Sequence, residues 1–227
     1  MSDRRPTEYP FILGLEKKTD VIPGHFSDVM QFKTNNNWIV KEFRRYDDLY
    51  LFRKQIKSED DILRVHGRRL NTFIPEHHLI FGTNDKGEKI GFIAMRKVIG
   101  EDLSRMNTVS KELVGQLEDT LSAAVELYRL TAEALGNGYF PDLFPPQEDM
   151  TVRFGNMMWG KVEDKLGLYT VDTFPLLSMS DAENISRRLV LAVKSFESEK
   201  GVKISPEFVE KITRELIEID KNHKRGR

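Results

Sequence analysis

The chain has 227 residues, of which 39% are hydrophobic and 31% are charged, and it contains no cysteine. This composition is typical of a globular protein with a core, and it excludes a disordered chain, disulfides, thiolate nucleophiles and cysteine-based zinc sites. Lysine and arginine total 35 against 36 aspartate and glutamate residues, so no overall field attracts the protein to nucleic acid or anionic lipid.

The N-terminal sequence MSDRRPTEYP lacks the apolar region of a secretory signal, and no window reaches the unbroken apolar length of a membrane span. We therefore expect a cytoplasmic protein with neither a membrane nor a nucleic acid as partner. The basic run Lys221–Arg227 follows a predicted helix and is expected to be its solvated end.

The first hundred residues alternate apolar and polar positions in short stretches separated by turn-forming clusters. They predict five strands: Phe11–Lys17, Ser27–Phe32, Asn37–Phe43, His78–Gly82 and Lys89–Val98. Between the third and fourth strands, apolar residues from Asp47 to His66 recur at helical spacing. We therefore expect a five-stranded antiparallel sheet with one helix over residues 1–98, then a hinge at 99–103.

Residues 104–227 are predicted to be mainly helical. An apolar stripe marks a long helix at Val109–Leu135, which the Gly-Asn-Gly of residues 136–138 ends. Two further helices are expected at about Asp181–Lys200 and Ser205–Asn222, the last with Pro206 in its first turn. The expected fold class is α+β, with two lobes.

Between these helices lies Thr151–Pro175, which is predicted to form a β-hairpin. Asn156 stands before its first strand, and Asp172 follows its second strand. An amide oxygen and a carboxylate are hard ligands of the kind that Mg²⁺ takes together with waters and substrate phosphates. The same two residues are also common in turns and at strand ends without any metal, so the pair alone leaves both interpretations open.

The order of these elements resembles that of the protein-kinase-like superfamily, in a compact bacterial or phage form similar to the aminoglycoside-phosphotransferase branch. In that resemblance Lys41, in Trp-Ile-Val-Lys, is the strand lysine that binds phosphates, and Glu59 is its helix partner. The residues implied to cover or border the nucleotide are Gly24, Phe26, Val29, Met95, Arg96 and Val98. Met95 would back the adenine pocket, and Arg96 and Val98 would offer backbone hydrogen bonds to the base.

Asn156 and Asp172 correspond in this resemblance to the two ligands of Mg²⁺. The catalytic base of the family lies five residues before the asparagine, and here that position is Thr151. Arg153 falls where the family often has a cation facing the transferred phosphate, and Asp149, Glu148 or Asp142 could supply a carboxylate from outside the register.

The resemblance implies a phosphotransferase that uses ATP and Mg²⁺ and moves the γ-phosphoryl group to a hydroxyl of an unidentified protein or small molecule. One alternative is a nucleotide-binding pseudokinase that acts as a sensor or scaffold, because Thr151 cannot serve as a carboxylate base. A second alternative is an interaction module that binds a partner through its C-terminal helices.

Overall fold

A computed structural model describes residues 22–23, 27–31, 37–43, 74–83, 89–144, 152–171 and 182–225. The predicted first strand Phe11–Lys17 and the predicted helix Asp47–His66 lie outside these residues. The chain divides into two compact units, one comprising Met1–Asp60 and Pro75–Lys97, the other Asp61–Ile74 and Val98–Arg227.

The first unit contains a sheet of five antiparallel strands in the order β1-β2-β3-β5-β4. Its strands are β1 (Ile22–Pro23), β2 (Ser27–Gln31), β3 (Trp38–Phe43), β4 (His77–Thr83) and β5 (Lys89–Arg96). The predictions for β2 to β5 are confirmed within a few residues at each end. Strand β1 falls between the predicted first and second strands, where a turn-forming cluster is expected, and it pairs through two residues only.

The second unit contains a three-stranded sheet in the order β6-β7-β8. Its strands are β6 (Ile99–Asp102), β7 (Met157–Val162) and β8 (Lys165–Thr170). The predicted hinge at 99–103 is therefore mostly a strand, paired with β7. The hairpin is confirmed, with a shorter turn than Lys161–Gly167, because the strands continue to Val162 and resume at Lys165. Glu163 occupies the left-handed region in this turn, with φ of 56°.

Three helices complete the second unit: α1 (Lys111–Leu135), α2 (Ala182–Lys200) and α3 (Pro206–Arg225). The side-chain oxygen of Ser110 caps α1 by accepting a hydrogen bond from the Leu113 N–H at 3.1 Å. Gly136 ends α1 with φ of 78°, a left-handed conformation that glycine adopts without steric cost. The three helices predicted for residues 104–227 and the α+β class are thus confirmed.

The core of the second unit forms where the apolar face of α1 meets α2, α3 and the hairpin. Its fully buried members include Leu117, Leu121, Tyr128, Phe154, Leu168, Ile185, Leu189 and Leu216. In the described part of the chain, no helix is long and apolar enough to cross a bilayer.

Candidate functional site

Lys41 lies in the middle of the first sheet and is buried, with 7% of its surface exposed. The register places it opposite Val29 of β2 and Ile93 of β5, while Ile39 pairs with Met95. Because alternate residues of a strand share a face, Lys41 and Met95 lie on the same face of the sheet. The structure therefore places Lys41 and Met95, two of the residues predicted to contact the nucleotide, on one face of the sheet. The backbone of Val29, a third such residue, pairs directly with that of Lys41.

Burial distinguishes Lys41 from an ordinary strand lysine, whose ammonium points into solvent. A lysine is seldom buried in a folded protein unless its charge is paired, because removing an ammonium from water is costly. Lys41 makes polar or electrostatic contacts in the structure. Its predicted partner Glu59 lies outside the described residues, so the Lys41–Glu59 ion pair stays a prediction.

Met95 is 5% exposed and lies on the same sheet face as Lys41. The next residue, Arg96, points to the other face, where its guanidinium lies 4.4 Å from the centroid of the Trp38 ring. Its Nε also donates to a carboxylate oxygen of Glu76 at 3.2 Å, and its backbone N–H donates to the Glu76 carbonyl at 2.8 Å. The Arg96 N–H is thus engaged within the first unit and would have to leave Glu76 to pair with a base.

In the second unit, Val98 is buried and directly precedes β6. Strand β6 lies unusually close to β7 at two glycines that face each other. A Cβ on Gly160 would lie 2.5 Å from the carbonyl oxygen of Ile99, and one on Gly100 would lie 2.0 Å from that of Trp159. Only glycine at both positions permits this separation, so the two glycines hold the segment after Val98 against the hairpin.

Asn156 begins the hairpin in the left-handed conformation, with φ of 58°. Its backbone carbonyl accepts a hydrogen bond from the Val171 N–H at 2.8 Å, which closes the open end of the hairpin. Its side-chain Nδ2 donates to the carbonyl of Asp142 at 2.8 Å. This bond fixes the plane of the amide and leaves its oxygen as the acceptor that a cation could use.

The predicted second metal ligand, Asp172, directly follows Val171 in sequence and lies outside the described residues. One amide oxygen and one carboxylate fit a Mg²⁺ ion that keeps several waters and substrate phosphate oxygens. Over the described residues, His, Asp and Glu side chains form no group of three or more that could hold a metal ion. The Asn156–Asp172 metal site therefore stays a prediction.

Arg153, predicted to face the transferred phosphate, lies two residues after the position expected for the base. Its Nε lies 2.8 Å from a carboxylate oxygen of Glu199 on α2, with both side chains about one-third exposed. An ion pair of this exposure is weak enough for a phosphate to replace it. The remaining predicted site residues, Gly24, Phe26, Asp149 and Thr151, lie outside the described part of the chain.

Sequence reasoning did not identify the contact between Asn156 and the segment before Pro145. The Gly155 N–H donates to the Leu143 carbonyl at 3.1 Å, next to the bond from Asn156 to the carbonyl of Asp142. Asp142 and Asn156 are fourteen positions apart, and no spacing pattern links them. The sequence indicated a role for each only through its residue type, a carboxylate in one case and a Gly-Asn pair in the other.

No protein-family profile and no curated protein sequence matches the chain. Among solved structures, the chain is similar to a protein from Ralstonia eutropha JMP134 whose assignment as an aminoglycoside phosphotransferase is provisional. The two share 13% identity with a TM-score of 0.39, over 89% of this chain and 81% of that one. At these values the similarity transfers no residue role, ligand or activity to this chain.

Proposed function

We propose that the protein binds ATP with Mg²⁺ and transfers the γ-phosphoryl group to a hydroxyl of a protein or small molecule. The observation that carries this proposal is the burial of Lys41 on the sheet face that also holds Met95. A buried ammonium beside an apolar residue provides charge for a polyphosphate and a surface for a base. Asn156, oriented by its bond to the Asp142 carbonyl, would contribute an oxygen to the metal.

In this function a bound Mg²⁺ would supply positive charge for the phosphates. The loose transition state of phosphoryl transfer requires chiefly positioning and charge stabilisation, so the chain itself has few chemical steps to perform. Lys41 would hold the phosphates in place, and Arg153 would exchange Glu199 for the transferred group.

Melting in the presence and absence of Mg²⁺-ATP tests nucleotide binding. A ligand at one hundred times its dissociation constant stabilises the folded state by about 2.7 kcal/mol, which corresponds to roughly 5–10 °C for a chain of this size. Lys41→Met removes the charge but keeps most of the volume, so we expect an unchanged or higher melting temperature without ligand and the loss of most of the nucleotide shift.

The matched control is Lys161→Met, which removes a lysine from an exposed position of β7. This variant should keep the full nucleotide shift. Equal shifts in wild type and Lys41→Met would show that Lys41 does not contact the nucleotide. A wild type that does not respond to ATP or ADP, with Mg²⁺ or Mn²⁺, would refute nucleotide binding altogether.

A second candidate function is a pseudokinase that binds nucleotide without transfer. Two observations favour it: Thr151 occupies the position of the base, and the Arg153 guanidinium is already paired with Glu199. Incubation with γ-labelled ATP distinguishes the two functions. Label on the protein, on a component of a cell extract or in inorganic phosphate supports transfer, whereas a nucleotide shift without any product supports the pseudokinase.

A further inference from the structure

Residues 142–144 are bonded to the start of the hairpin through their backbone. The carbonyl of Asp142 accepts a hydrogen bond from the Asn156 Nδ2 at 2.8 Å. The carbonyl of Leu143 accepts one from the Gly155 N–H at 3.1 Å. Because the amide of Asn156 is held by a backbone carbonyl, its orientation depends on the position and the peptide planes of residues 142–144. A group that fixes these residues therefore also fixes the amide.

Arg188 of α2 contacts this segment at two points. Its guanidinium donates a hydrogen bond to the carbonyl of Phe144 and lies 3.5 Å from the Oδ1 of Asp142. The side chains of Arg188 and Asp142 are 17% and 26% exposed, so solvent screens their charges less than it screens a surface ion pair. The planar guanidinium carries several donors in a fixed arrangement, which allows one side chain to hold a carbonyl and a carboxylate together. Arg188 thus joins residues 142–144 to α2.

Aromatic rings and Arg188 act on different parts of this segment. The ring of Phe144 lies 5.7 Å from that of Phe140 and 5.7 Å from that of Phe154. The ring of Phe154 in turn lies 5.6 Å from that of Phe196 on α2. Apolar contacts have no preferred direction and leave the peptide planes unspecified, whereas a hydrogen bond has a preferred direction at the carbonyl oxygen. The bond from Arg188 to the Phe144 carbonyl therefore orients the backbone that the rings locate.

We propose that Arg188 is a positioning residue for the metal site: by holding residues 142–144, it fixes the amide of Asn156 in the orientation in which its oxygen binds Mg²⁺. This inference rests on the proposed function, because the ion accompanies the nucleotide. In this role Arg188 acts through the Asp142 carbonyl and need not contact the ion or ATP. Removal of a residue that orients a metal ligand typically weakens metal binding by roughly ten- to a hundredfold, so the role predicts a measurable loss of affinity.

A double-mutant cycle tests whether Arg188 acts through Asn156. Asn156→Gly removes the amide, and glycine adopts the left-handed conformation of this position, with φ of 58°, at no steric cost. Melting shifts over a series of Mg²⁺-ATP concentrations give the dissociation constant of each protein. We expect Arg188→Met and Asn156→Gly each to raise this constant by about tenfold or more. The double variant should stay within about twofold of Asn156→Gly, because it lacks the amide through which Arg188 acts. With EDTA in place of Mg²⁺, the shift caused by ATP should be the same in the wild type and the three variants.

Further variants separate positioning from stability. Arg187→Met is the matched control, since this exposed neighbour on α2 donates to the Asn184 Oδ1 at 3.1 Å, and it should keep the wild-type constant. Ile185→Val removes a methylene from a fully buried side chain of α2, so it should lower the melting temperature without nucleotide and leave the constant unchanged. Arg188→Lys keeps a charge that can donate to one of the two acceptors, and its constant should lie between those of the wild type and Arg188→Met. It replaces Arg188→Met in the cycle if that variant does not fold.

The results that overturn this inference are distinct from those that overturn the function on which it rests. An unchanged constant in Arg188→Met, or a double variant whose loss is the product of the two single losses, overturns the inference and leaves nucleotide binding in place. The same follows if Arg188→Met reduces the shift equally with Mg²⁺ and with EDTA, or if Ile185→Val raises the constant as much, because the role is then structural. A wild-type constant in Asn156→Gly overturns the metal ligand and the inference together. A wild type without a shift overturns the proposed function, and the inference with it.

Discussion

The close approach of β6 to β7 predicts that Gly160→Ala destabilises the second unit. The new Cβ would lie 2.5 Å from the Ile99 carbonyl oxygen and 2.8 Å from the Cα of Gly100, both backbone atoms. Ordinary van der Waals contact needs at least 3.4 Å, so the strands would have to move apart by the better part of an ångström. Overpacking of this kind costs about 1–3 kcal/mol, and we expect about 2 kcal/mol because backbone atoms cannot rotate away.

The matched control is Gly115→Ala on α1, where a new Cβ meets no atom within 4 Å. Alanine in the interior of a helix is more stable than glycine by about 0.5–1 kcal/mol, so this change should stabilise the protein. Urea titration followed by circular dichroism gives both free energies of unfolding, and the melting temperatures should move in opposite directions, by about 4–8 °C downward and about 1–4 °C upward. A Gly160→Ala variant within about 0.5 kcal/mol of wild type would refute the reasoning, because the hairpin would then tolerate a wider separation from β6.

Two further predictions concern residues of β8. Gln116→Leu should lower the free energy of unfolding by about 1–3 kcal/mol in urea titration. The Gln116 side-chain oxygen accepts a hydrogen bond from the Leu168 N–H at 2.8 Å, and the substitution leaves that donor unpaired. An unchanged free energy would mean that water replaces the side chain as the acceptor. Burial raises the pKa of Tyr169 above its ordinary value of 10.0, so the unfolded chain loses this proton first and stability should fall as the pH rises above 10. Tyr169→Phe should reduce that alkaline loss in melting experiments, and an identical pH dependence in wild type and variant would count against this explanation.

The helices and most strands were predictable because their signals are local. Ser110 and Gly136 mark the ends of α1 in the sequence, and the alternation around Lys41 marks a strand without reference to any other segment. Strand β6 carries no such signal. Ile-Gly-Glu-Asp has little intrinsic preference for a strand, and its pairing depends on two glycines about sixty residues apart that permit the backbones to approach.

The candidate site was predictable only in part. A search by motif spacing assumes that the loop between two site residues has a fixed length. The placement of Lys41 and Met95 on one sheet was predictable because a strand lysine and a strand end keep their spacing within a sheet. The contact between Asp142 and Asn156 was missed because the two residues are fourteen positions apart and no local pattern indicates that they are bonded. The cost of closing a loop rises slowly with its length, so a search by fixed spacing overlooks contacts of this kind.

Phe144 and Phe154 flank the stretch 145–151 and are both anchored in the core, which has a consequence for how the sequence of this protein could diversify. The two rings are in contact, and the residues just before Phe144 are hydrogen bonded to those just after Phe154, so the described residues that flank 145–151 are held together by contacts of their own. Substitutions, insertions or deletions there should therefore leave Asp142 and Asn156 in place. Libraries randomised in this stretch should retain folded members, and under the proposed function those members should also keep the nucleotide shift.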